Sequence, residues 1–243
     1  MDFKLGKNPP VHDARTLMFG AYLKPQLPPP PPAVDYGKKV PLWPMYGNDI
    51  YGDCTCAAAG HMIQCWTANA AAELSPANNS VIHFYEHFVG TPPPPDAGCD
   101  MLTVLRYWRK TGLANHKVLA FTGLTLGDAT QAKQALDMFG GLYIGLSMPL
   151  TAQDQDVWDW TGSLTGPARP GSWGGHAVDV VGYSDAGLEV VTWGALKLMT
   201  WAFWRRYCDE AYCILSPDFL QAGKAPNGFD LAALKADLEL VTA

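Results

Sequence analysis

The chain has 243 residues, enough to bury a large core, and lies at the upper end of the usual size of one domain. Charged residues make up 16%, below the usual ~25%, so uncharged surface, exposed patches and a homo-oligomer are expected. The net charge is -6 and no more than two basic residues are adjacent, which argues against a nucleic-acid partner. No stretch approaches the ~18 apolar residues of a membrane span, and no apolar leader is evident, so we expect a cytoplasmic protein without a membrane partner.

The first 45 residues form a proline-rich arm in front of one compact domain, which we place at 46–243. Leu27 is followed by five prolines, Pro28 to Pro32, a run that favours an extended polyproline II strut over a packed element. We expect this arm to wrap around the body of the protein. An inhibitory segment or an SH3-type ligand is the alternative interpretation of the same run.

Helical patterns dominate a first lobe, at about 46–139. Asp53 can cap a helix that runs to about Ala72, and Ser80 can cap a second helix that ends before Gly90. Two further helices are predicted at about 99–110 and 128–138.

Short strand patterns dominate a second lobe, at about 140–220. The predicted strands are 142–148, 176–183, 188–193 and 211–215, with glycine and proline turns between them. A C-terminal helix is predicted at 228–241. A helical lobe followed by a lobe of strands indicates an α+β fold with a site at their junction.

Two residues suggest nucleophilic chemistry at that junction. Cys54 follows the Gly52 turn at the start of an apolar helix, where unpaired N–H groups and the helix dipole favour a thiolate. His176 opens a predicted strand more than a hundred residues later. An imidazole brought beside the thiol could take its proton and deliver it to a leaving amine.

The motifs around this pair resemble the papain-like cysteine peptidases, in particular distant bacterial members. The similarity runs in order from about 35 to 215 and includes the segments 48–54, 96–100, 105–112, 176–178 and 182–183 and the Trp-Gly pair at 193–194. The resemblance implies a helical lobe, with the nucleophile helix at its start, packed on an antiparallel β-barrel-like lobe. It also implies that Asn48, six residues before Cys54, supplies an oxyanion donor in place of the family's glutamine.

The group that would orient the imidazole differs from the family's asparagine. Counting back from Trp193-Gly194 places that position at Val191, whereas an ungapped count from His176 places it at Thr192. Valine cannot bind a ring N–H, but a threonine hydroxyl can accept from it. Asp179 is a further candidate, although strand alternation points it away from His176. The third member therefore stays open between Thr192, Asp179 and none.

Metal-dependent hydrolysis is the main alternative to a cysteine-dependent reaction. His83, Glu86 and His87 spell H-x-x-E-H, a zinc-hydrolase pattern on a helix. Such short matches arise by chance, and no third ligand is identifiable, so we predict neither a metal nor a cofactor. The six cysteines show no C-x-x-C spacing and are expected to be free thiols.

We therefore expect cysteine-dependent acyl transfer through a thioester, with Cys54, His176 and Asn48 as the catalytic residues. Hydrolysis of a peptide or a small amide or thioester is the first interpretation. The alternatives are a transglutaminase-like amide synthase with an amine acceptor and a binding module that has lost activity. Asp53, next to the nucleophile, is expected to oppose thiolate formation by like-charge repulsion.

Overall fold

The structure is a computed structural model that describes residues 3–25, 27–70, 72–90, 96–220 and 228–242. Six α-helices lie in these ranges: α1 Cys54–Ala70, α2 Asn78–Val89, α3 Met101–Lys110, α4 Ala129–Phe139, α5 Trp201–Tyr207 and α6 Leu231–Thr242. Seven strands lie there too: β1 Val34–Asp35, β2 Ala120–Gly123, β3 Leu142–Met148, β4 Gly174–Tyr183, β5 Gly187–Thr192, β6 Ala195–Thr200 and β7 Cys208–Leu215. None of the described helices is long and apolar enough to span a bilayer.

The strands form one antiparallel sheet in the order β2-β7-β3-β4-β5-β6, and β1 pairs with β4. The central strands β3, β4 and β7 are almost entirely buried, because both faces of the sheet are covered. The register between β3 and β7 shifts where Gly145 pairs with Glu210 and Leu146 pairs with Cys208. Asp209 is therefore the extra residue of a β-bulge.

Helix α1 lies in the middle of the molecule and connects the two lobes. Its first thirteen residues, Cys54 to Trp66, are all buried, which explains why this helix is apolar on every side rather than amphipathic. It packs against α2 and α3 and, through Ala177 and Tyr143, against strands β4 and β3. The N-terminal end of α1 is thereby held at the junction between the helical lobe and the sheet.

The N-terminal arm lies along the body and contributes to its core. Phe19 and Tyr22 are buried in the larger hydrophobic cluster, and β1 adds a short strand to β4. Pro28 to Pro32 form neither helix nor strand and are mostly exposed.

The α+β prediction is confirmed, with differences in detail. Helix α2 begins at Asn78 after Ala77, so the prediction that Ser80 caps it is wrong. Strands β1, β2 and β6 were not predicted. Thr200 ends β6, and its side chain caps α5 by accepting from the Phe203 N–H.

Candidate active site

The Cys54 thiol is placed by a tight turn at the start of α1. The Asp53 carbonyl accepts the first two helical hydrogen bonds, from the N–H groups of Cys56 and Ala57 at 2.7 and 2.9 Å. The preceding turn is held from the other side by Asp96, whose carboxylate accepts from the Gly52 N–H at 2.5 Å. The start of the helix is thus fixed on both sides of the nucleophile candidate.

Thr192 is the residue that contacts the His176 imidazole. The distance from His176 Nε2 to Thr192 Oγ1 is 2.8 Å, across the neighbouring strands β4 and β5. The Val191 side chain packs on the opposite side of strand β5, in a cluster with Val40 and Trp43. Among the three candidates for the orienting group, the structure therefore brings Thr192 to the imidazole.

Asp179 lies away from the imidazole, as strand alternation predicts. Its carboxyl is fully buried near Gly141. Burial raises the pKa of Asp179 itself well above its usual range. Asp179 is thus an internal carboxyl of the sheet and not part of the candidate site.

Two tryptophans enclose the imidazole. The Trp193 ring stacks on His176 with centroids 4.4 Å apart and an interplanar angle of 13°, and Trp158 meets it edge-on at 6.4 Å. Trp193 occupies the turn between β5 and β6 with a φ of 46°, an uncommon conformation for a residue with a side chain. The turn holds the indole over the imidazole and shields the contact with Thr192 from water.

Burial keeps the thiol and the imidazole neutral in this structure. It raises the pKa of Cys54 to about 12, although the backbone amides of Ala177 and Gly6 act in the opposite direction. Burial also lowers the pKa of His176 to about 3. His176 Nδ1 is buried and has no hydrogen-bond partner. The thiolate favoured by the helix start is therefore not present in this closed state, because desolvation outweighs the helix dipole.

Asp53 opposes ionisation of the thiol less than the sequence suggested. Its carboxyl is fully buried, and burial raises its pKa well above the usual range, with the Asn48 side chain partly opposing this. A protonated carboxyl exerts no like-charge repulsion. Its charge is accordingly the smallest of the named influences on the Cys54 pKa, and burial is the largest.

Asn48 points to a carbonyl that belongs to the N-terminal arm. Its Nδ2 donates to the Tyr51 carbonyl at 3.2 Å and reaches the Lys4 carbonyl at 3.5 Å. The Trp193 Nε1–H donates to the same Lys4 carbonyl at 3.1 Å. Two side-chain donors therefore converge on one carbonyl oxygen, an arrangement that suits an oxyanion.

Residues Phe3–Asn8, here called the cleft segment, run through the whole candidate site. Phe3 stacks on Trp193 with centroids 4.3 Å apart. Further along, the Cys99 N–H donates to the Gly6 carbonyl at 2.9 Å, and the Lys7 N–H donates to the Gly175 carbonyl at 3.1 Å. The segment bridges both lobes and leaves Cys54 and His176 each only 1% exposed.

Backbone packs directly on backbone where the cleft segment crosses the turn before Cys54. A Cβ at Gly6 would overlap the Gly52 carbonyl, and a Cβ at Gly98 would overlap the Gly6 carbonyl. Only glycine allows this approach. The Gly6 backbone also contacts the Cys54 thiol through its N–H.

Lys7 anchors the cleft segment through its side chain, which is only 1% exposed. Its Nζ lies 3.1 Å from Asp209 Oδ1 and 3.1 Å from Glu210 Oε1, and it donates to the Asn8 carbonyl at 3.1 Å. Burial raises the pKa of Glu210, and the nearby Lys7 ammonium partly offsets this. A buried cation is thus held by two adjacent carboxylates of strand β7.

Solved structures of cysteine proteases match this architecture. Xylellain from Xylella fastidiosa aligns with a TM-score of 0.63 and 16% identity over 88% of this chain and 98% of its own. The chain has the papain-like fold. Procathepsin B S9 from Trypanosoma congolense gives 0.56 and 14% over 88% and 86%, and digestive procathepsin L 3 of Tenebrio molitor gives 0.55 and 13% over 87% and 75%. No protein-family model matches the chain, and neither does any curated protein sequence.

The H-x-x-E-H motif, which suggested a metal site as the alternative, lies on the surface of α2 outside the papain-like cleft. His83 is exposed, 4.0 Å from the Glu86 carboxylate, and His87 stacks on Tyr107 with centroids 3.8 Å apart. The described part of the chain contains no group of three His, Cys, Asp or Glu residues that could hold a metal ion. All six cysteines are free.

The sequence did not reveal the residues that fill the papain-like cleft. The cleft segment precedes the proline run and has no periodic pattern, and Asp209 and Glu210 lie at the start of strand β7, directly after an aromatic helix. The Gly6-Lys7 pair, a glycine beside an isolated cation, was the only local signal.

Proposed function

We propose that the protein hydrolyses peptide or amide bonds through a thioester on Cys54. The observation that carries this proposal is that one peptide segment covers Cys54 and His176, while the Asn48 side chain reaches a carbonyl of its backbone. The resemblance of the sequence motifs and the likeness of the fold support it independently. A peptide or a small amide or thioester is the proposed substrate.

The geometry suggests a role for each residue. With the substrate carbonyl near Asn48 Nδ2 and the Cys54 N–H, the Cys54 sulfur forms a bond to the carbonyl carbon while the thiol proton passes to His176 Nδ1. His176 then delivers this proton to the leaving amine, and water cleaves the thioester. Thr192 acts through His176 as a positioning residue, because it holds Nε2 and leaves Nδ1 free.

Activity in this proposal requires the cleft segment to leave. The segment excludes water from the dyad and keeps it neutral, whereas a solvated thiol and imidazole could form the ion pair that attacks. The protein described here is therefore a closed form of the proposed enzyme.

Two alternatives keep specific support. Acyl transfer to an amine uses the same thioester and differs only in the nucleophile that resolves it. A binding module without activity fits the absence of the family's asparagine, since Thr192 provides a weaker, uncharged partner for the imidazole.

Opening the cleft by substitution tests the proposal. Gly6→Ala should displace the cleft segment, because its Cβ would overlap the Gly52 carbonyl. We expect this variant to cleave fluorogenic peptide amides and to be labelled at Cys54 by an epoxide probe. Adding a primary amine to the same assay separates hydrolysis from acyl transfer, since a synthase would form the new amide.

Cys56 provides the matched control, because it lies on the same helix and is equally buried. Cys54→Ala in the Gly6→Ala background should abolish turnover, whereas Cys56→Ala should retain most of it. Equal loss in both, or no turnover and no labelling in a folded Gly6→Ala variant, would leave the binding module as the better interpretation.

A further inference from the structure

The cavity that holds the Lys7 side chain is built by a local irregularity of the sheet. Asp209 is the extra residue of the bulge opposite Gly145. In a regular strand, consecutive side chains point to opposite faces, but here the Lys7 ammonium contacts the carboxylates of both Asp209 and Glu210. The bulge therefore brings two adjacent carboxylates into one cavity.

Gly145 provides the space. A Cβ at this position would overlap the Lys7 Cε and would lie 2.7 Å from Glu210 Cγ. The absence of a side chain at Gly145 on the central strand β3 thus leaves a channel for the Lys7 side chain, with two carboxylates at its end.

Both carboxylates are held in place by further groups. Ser147 Oγ donates to Asp209 Oδ2 at 2.7 Å, and Tyr212 OH donates to Glu210 Oε2 at 3.1 Å. The carboxylates consequently keep their orientation through contacts that do not involve Lys7. A cavity supported in this way can bind a cation other than the one that now fills it.

The surrounding backbone indicates that the occupant is part of a peptide. Gly175, which accepts the Lys7 N–H, directly precedes His176. On the other side, the Cys99 carbonyl accepts from the Asn8 N–H at 3.1 Å, and the Cys99 N–H donates to the Gly6 carbonyl. Any extended peptide bound to these backbone groups would direct one side chain into the acidic channel.

We propose that the channel formed by Gly145, Asp209 and Glu210 selects substrates with a lysine or arginine side chain within three residues of the reacting bond. This inference rests on the proposed hydrolysis, whose substrate class it narrows. Lys7 then has two roles. It fills the channel in the closed form, and its lysine side chain is of the same type as the substrate side chain that the channel binds in the open form. A neutral side chain would leave both carboxylates desolvated without a counter-charge.

A binding experiment tests the channel without depending on catalysis. The full chain with Gly6→Ala and Cys54→Ala is titrated with a blocked peptide of the sequence of residues 3–8. Two matched peptides carry norleucine in place of one lysine, at the position of Lys7 or of Lys4. Lys4 is exposed and serves as the control position.

We expect norleucine at the Lys7 position to weaken binding by about tenfold or more and norleucine at the Lys4 position to weaken it by less than about threefold. In Glu210→Gln and Asp209→Asn variants, the difference between lysine and norleucine at the Lys7 position should shrink to a fewfold. Equal affinities of the three peptides, or no binding to the folded variant, would overturn the proposal.

A kinetic experiment separates this proposal from the proposed function. Gly6→Ala with Cys54 intact is assayed with internally quenched peptides that carry lysine, arginine or norleucine at each of the three residues on either side of the amide. We expect the basic residues to raise kcat/KM about tenfold or more at one position. Cleavage without such a preference would contradict the channel but not the hydrolysis. Preferential binding of the lysine peptide without any cleavage would contradict the hydrolysis and leave the channel as a binding site.

Discussion

Two stretches of the same N-terminal arm make opposite kinds of contact. The cleft segment, Phe3–Asn8, bonds through its backbone to both lobes and buries a lysine, whereas Pro28–Pro32 lies on the surface without regular structure. Proline cannot donate a backbone hydrogen bond, so the proline run is poorly suited to occupy a cleft lined by backbone groups. The segment that covers the site is held through Gly6 and Lys7, and no proline contributes to it.

The largest effect should come from Gly6→Ala. A Cβ that overlaps a backbone carbonyl cannot be relieved by a side-chain rotation, so the cleft segment must leave. We expect the rate of Cys54 alkylation by iodoacetamide at pH 7, mapped by mass spectrometry, to rise by at least about 10³-fold. Gly20→Ala, in the same arm, is the control, since its Cβ meets only the end of the Gln131 side chain. A similar rate for both variants would show that the segment does not protect the thiol.

Lys7→Met should open the cleft to a smaller extent. Methionine keeps the apolar length of the side chain but leaves Asp209 and Glu210 buried without their cation. Removing one partner of a buried ion pair costs about 3–5 kcal/mol, which predicts a rise in Cys54 alkylation of about 10²-fold to a few thousandfold. Lys4→Met tests whether charge alone matters and should change the rate little. An unchanged rate in Lys7→Met would mean that the backbone contacts suffice.

Phe3→Ala should have a modest effect at the other end of the cleft. The Phe3 ring stacks on Trp193 but remains 40% exposed. Losing an aromatic pair of this kind costs about 0.5–1.5 kcal/mol, so we expect Cys54 alkylation to become about 2- to 10-fold faster. Phe3→Leu should restore part of the protection by keeping the apolar contact. An effect as large as that of Lys7→Met would indicate that the contact of Phe3 with Trp193 is the main anchor of the cleft segment.

The smallest effect is expected in the proline run. Pro29→Ala removes an exposed ring far along the chain from the cleft segment and should change Cys54 alkylation by less than about twofold. The same reagent, pH and mapping apply. A clear acceleration would indicate that the strut helps to hold the cleft segment in place, and the contrast between the two stretches would then be wrong.

Local signals in the sequence were sufficient for the elements that carry the dyad. A glycine turn before an apolar helix placed Cys54, and alternation along a strand placed His176 and directed Asp179 away from it. Both signals depend on neighbouring residues, and the confirmed α+β fold follows from many such signals in order. The cytoplasmic location, the homo-oligomer and the assigned catalytic roles stay predictions.

The remaining features depend on contacts between distant parts of the chain. The choice between Val191 and Thr192 depended on the register of β5 and on the turn at Trp193, whose positive φ has no signature in its residue type. The pKa of Cys54 could not be read from the helix start, because burial in the folded protein dominates it. Lys7 and Glu210 are two hundred residues apart, and a bulge brings the second carboxylate to the first.

The buried Cys54 thiol also has a consequence for chemical durability. Peroxides and disulfides react with thiolates that they can reach, and a thiol with a pKa of about 12 behind a fitted peptide segment offers neither the charge nor the access. We therefore expect Cys54 of the closed protein to stay reduced under mildly oxidising conditions. Sulfenic acid would form at Cys54 only after the cleft segment has been displaced.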